Sequence, residues 1–191
     1  MALIWMDGFD LYSASIPPST RYTISGTPSF VSGRFSGQAV RLNGSSALIV
    51  PVATGDTFAV GFAFQTDATS GSGDHIVRFR NATTLIDEIN MTNTGALQWT
   101  QNGTQKAITA GGVISAGAWH YIEIEFTRSA STGSFNVYVN GVSVLSATGQ
   151  NLGASSINNI QLRNPSGISS NLFLYDDLYV TNVATRLGES R

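Results

Sequence analysis

Two neighbouring stretches decide the fold: Trp119-His120-Tyr121-Ile122-Glu123-Ile124-Glu125-Phe126-Thr127 and Ser134-Phe135-Asn136-Val137-Tyr138-Val139-Asn140-Gly141-Val142. In an extended chain successive side chains point to opposite sides. Ile122, Ile124 and Phe126 therefore share one face. Tyr121, Glu123 and Glu125 share the other, which must be wet or must meet a polar partner. The second stretch ends on Asn140-Gly141. Both residues of an Asn-Gly pair tolerate φ > 0, which a type I′ hairpin turn demands. That predicts a hairpin joining 134–139 to 142–147, and Asn102-Gly103 predicts another joining 96–101 to 104–109.

The same pattern extends outward. Short β-branched or alternating runs occupy Ala47–Val52, Thr57–Thr66, His75–Arg80, Thr84–Met91, Ala96–Thr100, Ile157–Arg163 and Leu172–Thr181. Turn residues separate them, and no window carries an apolar stripe at helical spacing. Phe58, Val60, Phe62 and Phe64 alternate with Ala59, Gly61 and Ala63, as when another sheet or chain approaches the small side closely. The chain reads as one all-β domain over 1–183, an antiparallel sandwich or barrel. A polar C-terminal tail, 184–191, is expected to fray or to dock on a partner.

Composition excludes several functions. The 191 residues are 42% hydrophobic but only 12% charged, against about 25% in a typical soluble protein. The formal net charge is −2, and Lys106 is the only lysine. Without a basic run, nucleic-acid binding is not expected. No stretch approaches the ~20 apolar residues of a membrane-spanning helix. With no cysteine there are no disulfides and no thiolate chemistry. The opening Met1–Met6 lacks a basic flank and is followed by Asp7, so it reads as a first strand and not as a Sec export signal. The sequons at Asn43, Asn81, Asn90 and Asn102 are what chance produces in a Ser/Thr-rich chain.

Several phrases resemble the concanavalin A-like lectin/glucanase and laminin G-like superfamily. They are Gly117–Ile124 with Phe135–Gly141, then Gly33–Leu42, Phe58–Phe64 and Leu174–Val180. The residues that carry the likeness are Trp119, Tyr138, Asn140, Gly141, Asp176 and Asp177. The resemblance implies a two-sheet antiparallel jelly-roll sandwich, with Trp119 in its core. The opening Asp7–Tyr12, paired with Tyr175–Val180, is similar to structural proteins of tailed bacteriophages. Here Leu187-Gly188 falls close to the end, where members of that group often run on.

Chemistry-bearing residues are few. Retaining glycosidases need two carboxyl groups about 5–5.5 Å apart. Glucanases of the resembled family carry a Glu-x-Asp-x-x-Glu strand; here Glu123-Ile124-Glu125 leads to Arg128 where the third acid belongs. Asp87 and Glu88 are adjacent and so point to opposite faces. No Gly-x-Ser-x-Gly elbow occurs. His75 and His120 stand apart, without zinc-site spacing. Asp176-Asp177 with Asp7 or Asp10 would form a calcium cage if the first and last strands pair; the alternative is that they hold turns. A sugar site needs an aromatic platform beside amide and carboxylate groups. Trp99 with Gln98, Gln101 and Asn102 offers one such set, and Asp74-His75 another; the alternative is that Trp99 packs inside.

These readings lead to a non-enzymatic protein without an obligatory cofactor. The expected function is structural: a head-decoration or tail-associated subunit of a tailed-phage virion, self-associating and contacting capsid or tail proteins. It would reside in the virion, and in host cytoplasm during assembly. Low charge suits this, because few ions need be desolvated at an interface. The alternative is a carbohydrate-binding module for host-surface glycan.

Overall fold

The computed structural model describes residues 2–12, 21–69, 74–164 and 172–188. Every regular element among them is a strand. None is a helix long and apolar enough to cross a membrane. An eight-stranded antiparallel sheet runs in the order β13 (Val142–Gln150), β12 (Gly133–Val139), β11 (His120–Thr127), β6 (Thr57–Thr66), β15 (Phe173–Thr181), β4 (Gln38–Leu42), β3 (Ser29–Ser32). Its eighth strand, β1 (Leu3–Asp7), pairs with β15. A seven-stranded sheet runs β10 (Thr104–Ile108), β9 (Leu97–Gln101), β8 (Thr84–Met91), β7 (Asp74–Asn81), β14 (Ile157–Arg163), β5 (Ala47–Gly55), β2 (Thr23–Ser25). Both sheets pair strands from distant parts of the chain, β6 with β15 and β11 in one and β14 with β7 and β5 in the other, as the jelly-roll expectation has it. Both Asn-Gly hairpins form, with Asn102 at φ 49° and Asn140 at φ 51°.

The core lies between the sheets. Phe58, Val60, Phe62 and Phe64 of β6 and Ile122, Ile124 and Phe126 of β11 are fully buried on the inner side. Across from them stand Val77 and Phe79 of β7, Ile89 of β8 and Trp99 of β9. Two ring contacts join the layers. Phe79 meets Phe126 edge-on at 4.6 Å, and Trp99 stacks flat on Phe135 with centroids 4.4 Å apart. Such pairs add about 0.5–1.5 kcal/mol beyond their area burial.

The outer side of β11 corrects three expectations. It meets a polar partner, but the partner is this chain's own C-terminal segment. Glu123, 1% exposed, accepts from the Tyr179 hydroxyl at 2.7 Å, Arg186 Nη1 at 3.0 Å and the Gly188 N–H at 2.9 Å. Glu125 accepts from the Arg186 N–H at 3.0 Å and the Tyr138 hydroxyl at 3.1 Å. Residues 186–188 thus dock on this chain's own sheet, where the tail was expected to fray or to dock on a partner. The rest of that tail, 189–191, lies outside the described residues. Trp119 is not in the inter-sheet core. It packs, partly buried, against a small outer cluster of Ala59, Ala63, Tyr121 and Tyr179. Finally, what approaches the small side of β6 is neither a sheet nor another chain but the Tyr179 ring, against which a Cβ at Gly61 would collide.

The acids of the resemblance hold turns. A bulge in β15 places Asp177 at φ 49°. Asp176 then accepts from the Arg34 N–H and the Asp177 N–H, both at 2.9 Å, and burial pushes its carboxyl up to about 6. Asp10 accepts from the Gln38 N–H at 2.9 Å. These contacts clip the 33–38 turn, whose glycines leave room: a Cβ at Gly33 would stand 2.8 Å from Asp176 Oδ2, and one at Gly37 would overlap Asp10. Asp7 accepts from the Phe9 N–H, the Tyr12 and Tyr22 hydroxyls and Arg21. The calcium cage considered for these acids is not assembled: no group of three or more His, Asp or Glu converges among the described residues.

Replacing Gly61 by Ala should force the Tyr179 ring off the sheet. We expect a loss of about 1–3 kcal/mol, the usual range for overpacking, in urea unfolding. Gly141→Ala, where nothing stands within 4 Å but φ is 80°, should lose stability through backbone strain with the Tyr179 contacts intact.

Candidate functional site

The β9–β10 hairpin builds a pocket at one end of the sandwich. Its Asn102-Gly103 turn is anchored by the Asn102 N–H, which donates to the Ile86 carbonyl at 2.9 Å. Facing it is the 151–155 segment that follows β13. Between them lies a cavity of about 290 Å³ lined by Gln101, Asn102, Lys106, Asn151 and Ser155, with Ile86, Leu152 and Gly153 as its apolar part and Arg128 as its floor. Amides both donate and accept, hydroxyls likewise, and Lys106 donates. No carboxylate lines the cavity. The arrangement can grip a ligand bearing several hydroxyl groups, and it offers no acid–base pair for cleaving one.

The floor is fixed from below. Arg128 Nη1 pairs with Asp87, and Nη2 donates to the Leu152 carbonyl. Asp87, fully buried, also accepts from Trp99 Nε1 at 3.0 Å. Burial pushes the Asp87 carboxyl up and the Arg128 guanidinium down, and the attraction between them opposes both shifts.

The outer face of the seven-stranded sheet is a second polar surface. The cross-strand pairs His75–Asn90, Asn90–Gln98, Arg78–Glu88, Glu88–Thr100 and Gln161–Arg78 set these side chains in one layer. His75 Nδ1 lies 2.5 Å from Asn90 Oδ1 and 3.0 Å from Glu88 Oε2. Glu88 also accepts from Arg78 Nε at 2.8 Å and the Thr100 hydroxyl at 2.9 Å. Burial pushes the Glu88 carboxyl up, but His75, Arg78 and Thr100 outweigh it and hold it at about 2.

The two sugar-binding sets suggested by the sequence are taken apart and partly recombined. Asn102 and Gln101 do line a pocket. Trp99 does not: it is 1% exposed with a face against Phe135, so it cannot act as a sugar platform. Asp74 is buried as well, while its neighbour His75 lies on the sheet's outer face. Sequence reasoning missed Lys106, Asn151 and Ser155. The signal for the first was present, since it is the single lysine and follows the hairpin turn closely. Asn151 and Ser155 arrive from some 50 residues away and carried no local sign. Glu123 and Glu125, the nearest approach to a hydrolytic pair, lie on the opposite sheet with Arg186 across them.

No protein-family model matches the chain, and no curated protein sequence matches it. Solved structures do share its fold. The binding domain of Paraclostridial Mosquitocidal Protein 1 superposes with TM-score 0.72 at 18% identity, over 96% of this chain and 49% of that one. The ligand binding domain of botulinum neurotoxin serotype D, solved with N-acetylneuraminic acid, gives 0.64 at 13% identity, over 86% and 43%. Domain 4 of AbnA, an extracellular arabinanase of Geobacillus stearothermophilus solved with arabinotriose, gives 0.63 at 18%, over 96% and 94%. The chain thus spans about half the length of the toxin domains and nearly all of the arabinanase domain. At these identities the likeness is one of fold: an all-β jelly-roll-like sandwich.

The depressed Glu88 carboxyl has a consequence for stability. Its ordinary value is 4.5, so its contribution is complete above that pH and is lost as pH falls toward about 2. Urea unfolding across pH 6 to 2 should show wild type losing stability faster than Glu88→Gln. Parallel curves would contradict the His75–Glu88–Arg78 network.

Proposed function

We propose that the protein is a glycan-binding module that takes a sugar into the pocket between the β9–β10 hairpin and the 151–155 segment. One observation carries this reading: the polar lining of the pocket is amides, a hydroxyl, an ammonium and the Asp87-paired guanidinium of Arg128, with no carboxylate. Such a lining matches the hydroxyl rim of a sugar. The volume of about 290 Å³, at the low end for ligand pockets, suits one or two sugar rings rather than an encircled chain. The toxin binding domains and the arabinanase domain, two of them solved with sugars, support the choice over catalysis.

A place on a tailed-phage particle is our second reading. It rests on the likeness of Asp7–Tyr12 and Tyr175–Val180 to phage structural proteins. Exposed apolar residues also favour it: Met6 (64% exposed) and Leu11 (89%) stand near the start of the chain, clear of the pocket. The two readings are compatible, since a particle can display a module that binds host glycan with many copies at once.

A glycan array that includes neutral arabinan and glucan oligosaccharides, followed by calorimetric titration, tests the first. We expect a neutral ligand whose affinity falls about tenfold in Lys106→Met, one charge-assisted hydrogen bond being worth about 1.5–3 kcal/mol. Binding that Lys106→Met leaves unchanged would contradict the pocket assignment. No binding to any glycan would remove the reading itself, and co-sedimentation with purified particles would then decide for the second.

A further inference from the structure

We propose that the outer face of the seven-stranded sheet is a second binding surface, selective for acidic sugars, on which Arg163 with Arg78 and Arg80 receives a sugar carboxylate. The proposal rests on the glycan-binding reading but concerns a different surface and ligand class. The alternation along two strands creates the cluster. Arg78 and Arg80 flank inward Phe79 on β7, and Gln161 and Arg163 flank inward Leu162 on β14. The register sets Gln161 opposite Arg78 and Asn159 opposite Arg80, so the guanidinium groups share one face. In a chain with net charge −2 and only ten basic residues, three on one face is a concentration of positive charge.

That charge is poorly compensated. Among the described residues, Glu88 is the carboxylate of this face, and its oxygens are already engaged by His75, Arg78 and Thr100. Among the described residues Arg80 bonds only neutral partners, the Gln161 side chain at 3.4 Å and the Thr83 carbonyl. Arg163 forms no ion pair among the described residues, and its Nε is buried without a hydrogen-bond partner. Segments 70–73 and 165–171, which adjoin these strands, contain no Asp or Glu. Burial, then Arg78, push the Arg163 guanidinium below its ordinary value; Glu88 and Tyr175 oppose this, and Arg80 adds a smaller push down.

The cluster is held in place from behind. The hydroxyl of Tyr175, fully buried on β15 of the other sheet, crosses the core to lie 2.9 Å from the Arg163 carbonyl and 2.8 Å from the Ile76 carbonyl. A guanidinium is a planar fork that fits a carboxylate with two parallel hydrogen bonds. Beside it, the part-exposed amide of Gln98 suits a hydroxyl or acetamido group of the same sugar. Three arginines around one carboxylate do not make the extended phosphate track that nucleic acid requires.

The test is titration of wild type, Arg163→Gln and Lys106→Met with an oligosaccharide ending in N-acetylneuraminic acid, with its desialylated counterpart, with an oligogalacturonate and with single-stranded oligonucleotide. Arg163→Gln removes an unpaired charge, so its thermal midpoint should equal or exceed that of wild type. We expect the sialylated or galacturonate ligand to bind at least tenfold more tightly than the neutral one. Arg163→Gln should abolish that preference, and Lys106→Met should keep it. Neutral sugars bound in the end pocket, with no preference for acid, would overturn this inference and leave the glycan reading standing. Tighter binding of oligonucleotide than of either acidic sugar, or an acid preference that survives Arg163→Gln, would also overturn it. No sugar binding of any kind would end both.

Discussion

A carboxylate inside an apolar sandwich is the constraint around which the pocket end of this molecule is arranged. Asp87 is fully buried between the sheets. Taking such a group out of water costs several kcal/mol unless its oxygens are met by donors of opposite charge or good geometry. Trp99 Nε1 meets one oxygen, and the Arg128 guanidinium meets the other. The first contact fixes the indole in the plane that stacks on Phe135, which belongs to the facing sheet. The second holds Arg128 as the floor of the end pocket, and through the Leu152 carbonyl it holds the 151–155 segment as the pocket wall. Core packing and pocket geometry are therefore one structure: the buried tryptophan shares its carboxylate partner with the arginine that floors the cavity.

The two outer faces have been given different fates by the same alternation rule. On the eight-stranded sheet, small residues at 59, 61 and 63 admit Tyr179, and Glu123 and Glu125 bind the segment around Arg186. Acidic groups there are spent on closing the surface. On the seven-stranded sheet the outward side chains of β7, β8, β9 and β14 include amides, a hydroxyl, arginines and His75, with a single carboxylate among the described residues. Most of these groups bond to one another, and the guanidinium of Arg163 is left without a carboxylate among the described residues. The asymmetry places both candidate binding surfaces, the end pocket and the arginine face, on the seven-stranded side.

Local pattern was enough to read most of the longer strands and both Asn-Gly hairpins, because period two and positive φ are properties of a few adjacent residues; the three- and four-residue strands β2 and β3 were too short to show a period. The alternation of Leu97, Trp99 and Gln101 against Gln98 and Thr100 even held the information that Trp99 faces inward with Leu97. Its position near a hairpin tip argued the other way, but the tip, Asn102-Gly103, begins only after the strand has ended at Gln101. Trp119 was misplaced for a different reason. It precedes β11, where alternation begins, and so belongs to the outer cluster with Tyr121. Contacts of long sequence separation were not legible at all. Arg186 reaches Glu123 across 63 residues, Arg128 reaches Asp87 across 41, and Arg163 joins Arg78 only because β14 lies beside β7. The pairing order of strands decides each of these, and no local pattern encodes that order.

The account depends most on the coupling between Asp87 and Arg128, and a double-mutant cycle measures it directly. Asp87→Asn, Arg128→Met and the double variant would be compared with wild type by urea unfolding. The account predicts that each single change, leaving its partner as an unpaired buried charge, costs about 3–5 kcal/mol. The double change should cost far less than the sum of the two. Additive losses would show that the two groups do not depend on each other, and would contradict the claim that the core builds the pocket.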